Sequence, residues 1–262
     1  MILHAIEAGP RDGAALPLVL LHGLFGAARN FGAVQRMLAA GPPGRHVLAL
    51  DLRNHGGSPH DPAMTYPGMA ADVRATLDAM GLGRVALLGH SMGGKVAMHL
   101  ACAAPERIAR LIVADIAPIA YPPRNRRFAE ALLALPLPQG LTRAAADAAL
   151  AGSIADAGLR GFLLQNLALT PAPHWRIGLA EITAALPAIE GWQAPEGPPY
   201  SGPALVLRGA RSDYVPDEAR TACRALLPAV RFAALKSAGH WLHADDPAGF
   251  VASVAAFLQA DL

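Results

Sequence analysis

Six short apolar segments of strand length constrain the fold of this chain more than any other feature. They are residues 17–21, 46–50, 84–88, 111–114, 204–207 and 230–235. Most are continuously apolar, as strands of a parallel sheet are when helices cover both faces. Between them apolar residues recur every three or four positions, as in residues 66–80 before Gly81. The alternation predicts an α/β fold with a mostly parallel central sheet flanked by helices.

The alternation is interrupted between Ala117 and Gly202. Proline-rich joints replace the strand pattern there, and residues 144–150 and 161–169 have helical character. We therefore predict an α/β core formed by residues 1–116 and 203–262. Residues 117–202, called the cap segment below, are predicted to be a helical cap inserted into that core, without strands.

Composition narrows the function classes. Hydrophobic residues make up 53% of the 262 residues and charged residues 16%, which excludes a disordered chain. The formal net charge of +2 comes without a Lys/Arg stripe, so nucleic acid is not an expected partner. No apolar run is long enough to predict a membrane span, and no signal peptide is predicted at the start. Cys102 and Cys223 lie in apolar surroundings and are expected to be reduced, buried thiols of a cytoplasmic protein.

Residues 89–93 read Gly-His-Ser-Met-Gly and join the predicted strand 84–88 to a helical stretch. A Ser in such a tight strand-to-helix turn needs glycines two residues away on each side, because other side chains would collide with the backbone. The helix behind Ser91 offers a free N–H and a dipole that favours developing negative charge. The pattern predicts Ser91 as a nucleophile.

A nucleophilic Ser needs a neighbouring His as its base. His240 follows the last predicted strand and precedes the C-terminal helix, which places it at the same sheet edge as Ser91. His243 is expected to be a packing residue, although a His240/His243 metal pair is the alternative. His99 is expected to be structural, and His90 is adjacent to the nucleophile and could line the pocket.

The oxyanion that forms on the substrate needs two N–H donors. The predicted strand 17–21 ends in His-Gly-Leu-Phe-Gly at residues 22–26. In this kind of fold that loop faces the strand-to-helix turn at residues 89–93, called the elbow below. The expected donors are the N–H groups of Leu24 and Met92.

Two carboxylates are candidates for the group that orients His240. Asp115 ends the strand 111–114, and Asp213 lies in the loop after strand 204–207. By position Asp115 should be rigidly placed, whereas Asp213 should point to Arg211 or solvent if Ser212 faces His240. Either loop could reach His240.

With these parts in place, the chain resembles the α/β-hydrolase superfamily over essentially its full length. The strings HGLFG (22–26), DLRNHGGS (51–58), GHSMGGK (89–95), ADIAP (114–118), RGARSDYV (208–215) and AGHWLHAD (238–245) carry the resemblance. They are most similar to YbfF-type bacterial esterases and related mitochondrial abhydrolase-domain proteins. The resemblance implies Asp115 as the acid, because the usual acid position holds Ser212. It also implies Ser212 as a hydrogen-bonding fourth member of the site.

The resemblance implies a serine carboxylester hydrolase acting on short- to medium-chain acyl esters, without a metal or organic cofactor. An acyl-CoA thioesterase with the same triad is the main alternative, since Arg124, Arg126 and Arg127 could meet phosphates. Carbon–carbon bond hydrolysis and a non-catalytic ligand-binding protein are the remaining alternatives. The expected partner is a small acyl ester or thioester, and the oligomeric state is not predicted.

Overall fold

The computed structural model describes residues 1–13 and 15–260, and a seven-stranded sheet forms its centre. The strands occur in the order β1-β3-β2-β4-β5-β8-β9. All neighbours pair in parallel except β1, which runs antiparallel to β3. Their bounds are β1 (Ala5–Ala8), β2 (Leu18–Leu21), β3 (Val47–Leu50), β4 (Val85–His90), β5 (Ile108–Ala114), β8 (Ala204–Gly209) and β9 (Val230–Leu235). The predicted α/β fold is confirmed, and each predicted apolar segment forms one of these strands.

Helices cover both faces of the sheet. Leu18 and Leu20 of β2 belong to a core formed with α1 (Gly32–Ala40) and α10 (Pro247–Gln259). Val19 and Leu21 point the opposite way, to a second core formed with α2 (Tyr66–Ala79), α3 (Met92–Ala103) and α8 (Ala219–Leu226). The alternation follows from the period of two along a strand. A short helix, α9 (Leu242–Asp245), precedes α10.

Strand β1 was not among the predicted segments. It has four residues, lies at the edge of the sheet, and contains the exposed Glu7. An edge strand that is only partly buried needs no continuous apolar run, so the pattern used to find the central strands passes over it.

The cap segment contains α4 (Arg126–Ala134), α5 (Arg143–Leu150), α6 (Ala157–Leu164) and α7 (Leu179–Glu190). Contrary to the expectation of no strands, β6 (Leu167–Ala168) pairs antiparallel with β7 (His174–Trp175). The helical interpretation of residues 161–169 was wrong at its end, because the chain turns after α6 and Leu167–Ala168 is strand. Near the ends of the segment the Tyr121 N–H donates to the Glu190 carbonyl at 2.8 Å. The division at residues 117 and 202 stays a prediction.

The two thiols are buried and unpaired, as expected, with Cys102 on α3 and Cys223 on α8. Burial raises the pKa of the Cys223 thiol to about 11, so this sulfur is protonated at neutral pH. Across residues 1–13 and 15–260, none of the helices has both the length and the apolar character that crossing a membrane requires.

Candidate active site

Ser91 stands at the sharp turn between β4 and α3, with a left-handed backbone φ of 51°. A Cβ on Gly89 would lie 2.1 Å from the Gly93 carbonyl oxygen, and a Cβ on Gly93 would lie 2.4 Å from the Leu21 oxygen. Both distances are far below van der Waals contact, so the turn admits only glycine at these positions. The crowding is what the Gly-x-Ser-x-Gly spacing predicted.

His240 connects the serine to a carboxylate. Its Nε2 lies 3.1 Å from Ser91 Oγ, and its Nδ1 lies 2.8 Å from Asp115 Oδ2. The loop between β9 and α9 carries His240 to the carboxyl edge of the sheet, where β4 and β5 also end. Because both ring nitrogens of His240 have these partners, neither is free for the alternative metal pair with His243.

Asp115 directly follows β5, is fully buried, and has a left-handed φ of 52°. Its Oδ1 accepts the Gly209 N–H at 2.9 Å, and its Oδ2 accepts the Ser212 hydroxyl as well as His240 Nδ1. Ser212 therefore contacts the carboxylate, whereas the sequence-based expectation had it face His240. These three hydrogen-bond donors fix the orientation of the Asp115 carboxylate.

Asp213, the other candidate acid, faces away from His240. Its Oδ2 lies 2.8 Å from Arg124 Nη1, and its side chain is 65% exposed. The expectation of solvent exposure is met, but the charged partner is Arg124 rather than Arg211. Arg211 instead donates to the Ser237 carbonyl.

The loop 23–26 lies against the elbow. A Cβ on Gly23 would be 3.1 Å from Ser91 Cβ, and Leu24 and Met92 line the same cavity as Ser91. Within the described residues, neither the Leu24 N–H nor the Met92 N–H has a hydrogen-bond partner. Two free backbone donors thus flank Ser91.

Three further histidines considered from the sequence, His90, His99 and His243, make packing or hydrogen-bonding contacts. His90 Nε2–H donates to the His240 carbonyl at 2.8 Å and thereby supports the loop that carries His240. Burial lowers the pKa of His90 well below its usual value, so its ring is neutral. His243 is half-buried and packs against the rings of Phe31 and His90, and His99 stacks on Tyr66.

A cavity of about 810 Å³ opens over Ser91 between the core and the cap segment. Its cap wall includes Phe128, Leu159 and Phe162. Tyr214, from the loop after β8, stacks on the His240 ring with centroids 3.8 Å apart. No local sequence pattern assigns these residues to the site, although Tyr214 lies within the RGARSDYV string.

Lys95 is part of the same cavity wall. Its Nζ donates to the Gly191 carbonyl at 2.6 Å, which ties α3 to the end of α7 in the cap segment. The rings of Tyr66, Tyr121 and Trp192 surround the ammonium at 4.8–5.7 Å. Burial outweighs the attraction of Glu190 and lowers the pKa of Lys95 to about 8.

We expect this buried ammonium to shape the pH dependence of stability. The folded-state pKa of about 8 lies below the ordinary value of 10.5. Between these values the unfolded chain binds more protons, so the free energy of unfolding rises with pH. Relative to Lys95→Met, the wild type should gain on the order of 2 kcal/mol between pH 7 and pH 10, measured by urea unfolding. Equal pH slopes for the two proteins would contradict this.

Comparison with known proteins identifies the family of this chain. The family model described as alpha/beta hydrolase fold matches residues 17–247. The mouse sn-1-specific diacylglycerol lipase ABHD11 is 39% identical over 256 residues, covering 94% of this chain and 83% of the mouse protein. The Escherichia coli (strain K12) esterase YbfF is 35% identical over 244 residues, covering 93% of each chain.

Among solved structures, one titled "Marine microorganism esterase" superposes with a TM-score of 0.92 at 32% identity, covering 98% of this chain and 99% of that one. The family match spans well over half of the chain, and the relatives align over nearly all of it. The chain therefore belongs to the α/β-hydrolase family, in the branch that contains the YbfF-type esterases, and is a hydrolase.

Proposed function

We propose that this hydrolase cleaves carboxylic esters with Ser91, His240 and Asp115 as a catalytic triad. The observation that carries the proposal is the continuous chain of hydrogen bonds from Ser91 Oγ through His240 to Asp115. Ser91 Oγ attacks the acyl carbonyl carbon while His240 Nε2 takes its proton. The carbonyl oxygen becomes an oxyanion that accepts hydrogen bonds from the Leu24 and Met92 N–H groups.

His240 then returns the proton to the departing alcohol, which leaves an acyl-enzyme on Ser91. Water enters, and its oxygen attacks the acyl carbon while His240 Nε2 takes one of its protons. The bond between the acyl carbon and Ser91 Oγ then breaks, His240 returns the proton to Oγ, and the carboxylic acid leaves. Asp115 keeps the His240 proton on Nδ1 in the resting state and stabilises the imidazolium in both steps. The Gly209 N–H and the Ser212 hydroxyl hold Asp115 in place.

The proposed substrates are short- to medium-chain acyl esters. Phe25 and Met92 are buried close to Ser91, which limits the room next to the nucleophile. The cavity volume of about 810 Å³ lies within the range of roughly 300–1,000 Å³ that small-molecule sites occupy. The relatives named esterase and lipase also support an ester substrate.

A panel of p-nitrophenyl esters from acetate to dodecanoate tests this proposal. We expect kcat/KM to reach its maximum between the acetyl and hexanoyl esters, because Phe25 and Met92 restrict the space beside Ser91. A maximum at dodecanoyl or longer would contradict the chain-length assignment while leaving ester hydrolysis intact. Failure of a fluorophosphonate probe to label Ser91 would instead favour a non-catalytic ligand-binding protein.

Two of the three arginines that could bind CoA phosphates are paired with carboxylates, which favours esters over CoA thioesters. Arg124 lines the cavity but pairs with Asp213, and Arg126 lies 3.7 Å from Glu130. The guanidinium of Arg127 lies over the ring of Phe128. Asp213 and Glu130 offset the positive charge of Arg124 and Arg126 that CoA phosphates would need. Acyl-CoA thioesters of matched length, run beside the ester panel, distinguish the two. A higher kcat/KM for the thioesters would make the thioesterase the better assignment.

A further inference from the structure

Phe25 holds the oxyanion-binding loop in a conformation that its own backbone does not favour. Its φ is 59°, in the left-handed region, where a bulky side chain is rare unless the surroundings enforce it. The next residues along the loop depend on this turn, since the Gly26 N–H closes back onto the Gly23 carbonyl at 3.0 Å. The structure must therefore supply contacts that keep Phe25 in place.

Two buried side chains hold the main-chain groups of Phe25 from opposite sides. The Phe25 N–H donates to His55 Nε2 at 3.2 Å, and the Phe25 carbonyl accepts Asn166 Nδ2–H at 2.7 Å. His55 belongs to the core, in the loop after β3, whereas Asn166 lies in the cap segment between α6 and β6. Both side chains are almost completely buried. The loop is thus clamped between the core and the cap segment.

Both clamping groups have their orientation fixed. His55 Nδ1–H donates to the Arg53 carbonyl at 2.9 Å, which leaves Nε2 as a bare acceptor. Burial lowers the pKa of His55 to about 3, so it remains neutral and keeps that tautomer. The Asn166 carbonyl accepts the Arg176 N–H at 2.8 Å, so the chain just after β7 holds its backbone.

The peptide plane that carries the Leu24 N–H is fixed at the adjoining position. The Gly23 carbonyl belongs to the same peptide and accepts His22 Nδ1–H at 2.8 Å. In a trans peptide the N–H points opposite to the carbonyl, so the Leu24 N–H faces away from His22. Leu24 lies between this peptide plane and the next one, which carries the Phe25 N–H and is held by His55. With both planes held, the backbone dihedral angles of Leu24 are fixed.

We infer that Asn166 is a positioning residue through which the cap segment sets the geometry of the oxyanion-binding loop, with His55 as its counterpart in the core. The inference rests on the proposed ester hydrolysis. Its consequence is that the cap segment contributes to transition-state stabilisation through the backbone of Phe25, without touching the reacting atoms. Loss of the Asn166 contact frees one side of a strained turn and lets the Leu24 N–H move out of alignment.

The variants Asn166→Asp and Asn166→Ala test the cap side of the clamp. Asp keeps the shape but has no donor for the Phe25 carbonyl, and Ala removes the whole group. On the core side, His55→Leu removes the acceptor, whereas His55→Gln keeps one near the position of Nε2 and should rescue function. The matched control is His60→Ala, which breaks a core-to-cap hydrogen bond to the Arg176 carbonyl on the exposed rim without contacting the loop.

The readouts are kcat and KM for p-nitrophenyl butyrate and the affinities of two inhibitors. A short alkyl trifluoromethyl ketone forms a tetrahedral oxyanion on Ser91, and the corresponding alcohol does not. Loss of a complete oxyanion donor costs about 10²–10³ in kcat, so its misalignment in the Asn166 and His55→Leu variants should cost about 10–100-fold. KM and alcohol affinity should change little, while ketone affinity falls in parallel with kcat.

Circular dichroism and thermal unfolding establish which variants are folded. A folded Asn166 variant with the kcat and ketone affinity of His60→Ala would overturn the inference. A rise in KM and a fall in alcohol affinity as large as the fall in ketone affinity would overturn it as well. If kcat and ketone affinity fell as far in His55→Gln as in His55→Leu, the role of His55 as a hydrogen-bond acceptor would be wrong. Failure of the proposed function itself looks different. In that case the wild type would bind ketone no tighter than alcohol, whatever the variants do.

Discussion

Replacing Ser91 with alanine is expected to lower kcat/KM for p-nitrophenyl butyrate by about 10⁶ and to abolish fluorophosphonate labelling. In the proposed mechanism the side chain of Ser91 supplies the attacking oxygen, and no other hydroxyl is hydrogen-bonded to His240 within the described residues. The remaining rate comes from binding and from the backbone donors alone. Initial rates at high enzyme concentration and intact-protein mass spectrometry after probe treatment measure both effects.

The fold should survive this change, because the elbow depends on its backbone. The Ser91 N–H donates to the Ala114 carbonyl at 2.9 Å, and its carbonyl accepts the Gly94 N–H at 2.8 Å. His240→Ala should be about as damaging as Ser91→Ala. His243→Ala removes a nearby half-buried ring that makes no hydrogen bond to Ser91 within the described residues, and its effect should be mild. If Ser91→Ala retained a tenth of wild-type activity, the assignment of the nucleophile would fail.

Replacing Asp115 with asparagine is expected to cost about 10⁴ in kcat, far more than the same change at Asp213. If the oxygen of the introduced amide accepts the Gly209 N–H, the amide NH₂ faces His240 Nδ1 and favours the wrong tautomer. The ring would then present Nε2–H to Ser91 and could not accept its proton. The loss of kcat in Asp115→Asn is measured with p-nitrophenyl butyrate, from the pH profile of kcat and from burst kinetics.

Asp213→Asn is the matched control for this substitution. It removes an exposed ion pair with Arg124, and exposed pairs contribute only about 0–1 kcal/mol. The loss of kcat in Ser212→Ala should lie between those of Asp213→Asn and Asp115→Asn, because this substitution removes one hydrogen bond to Asp115, worth about 1 kcal/mol. A larger loss in Asp213→Asn than in Asp115→Asn would reverse the assignment of the acid.

The central sheet and the positions of Ser91 and His240 could be predicted from sequence for a physical reason. Strands buried on both faces must be continuously apolar, and the elbow glycines are forced by backbone contacts, so both leave local patterns. Asp115 ends such a strand, which is why it was a candidate. The choice between Asp115 and Asp213 depended on the turn after β8, where the Ser212 hydroxyl turns toward Asp115.

Other features left no local pattern. Strand β1 is short and half exposed, and the β6–β7 pair has only two residues in each strand. The ion pair of Arg124 with Asp213 joins residues 89 positions apart. The clamp of Asn166 on Phe25 spans 141 positions. Contacts of this kind arise from tertiary packing, so no periodicity or short motif in the sequence predicts them.

The tie between Tyr121 and Glu190 has a consequence for the order in which the protein folds. Strands β5 and β8 are neighbours in the sheet, although the cap segment separates them in sequence. Bringing distant strands together costs entropy and slows folding. A cap that forms early, with its two ends already joined, shortens the loop that β8 must close. Asp115 precedes this segment and His240 follows it, so we expect the two to meet only in the late steps of folding.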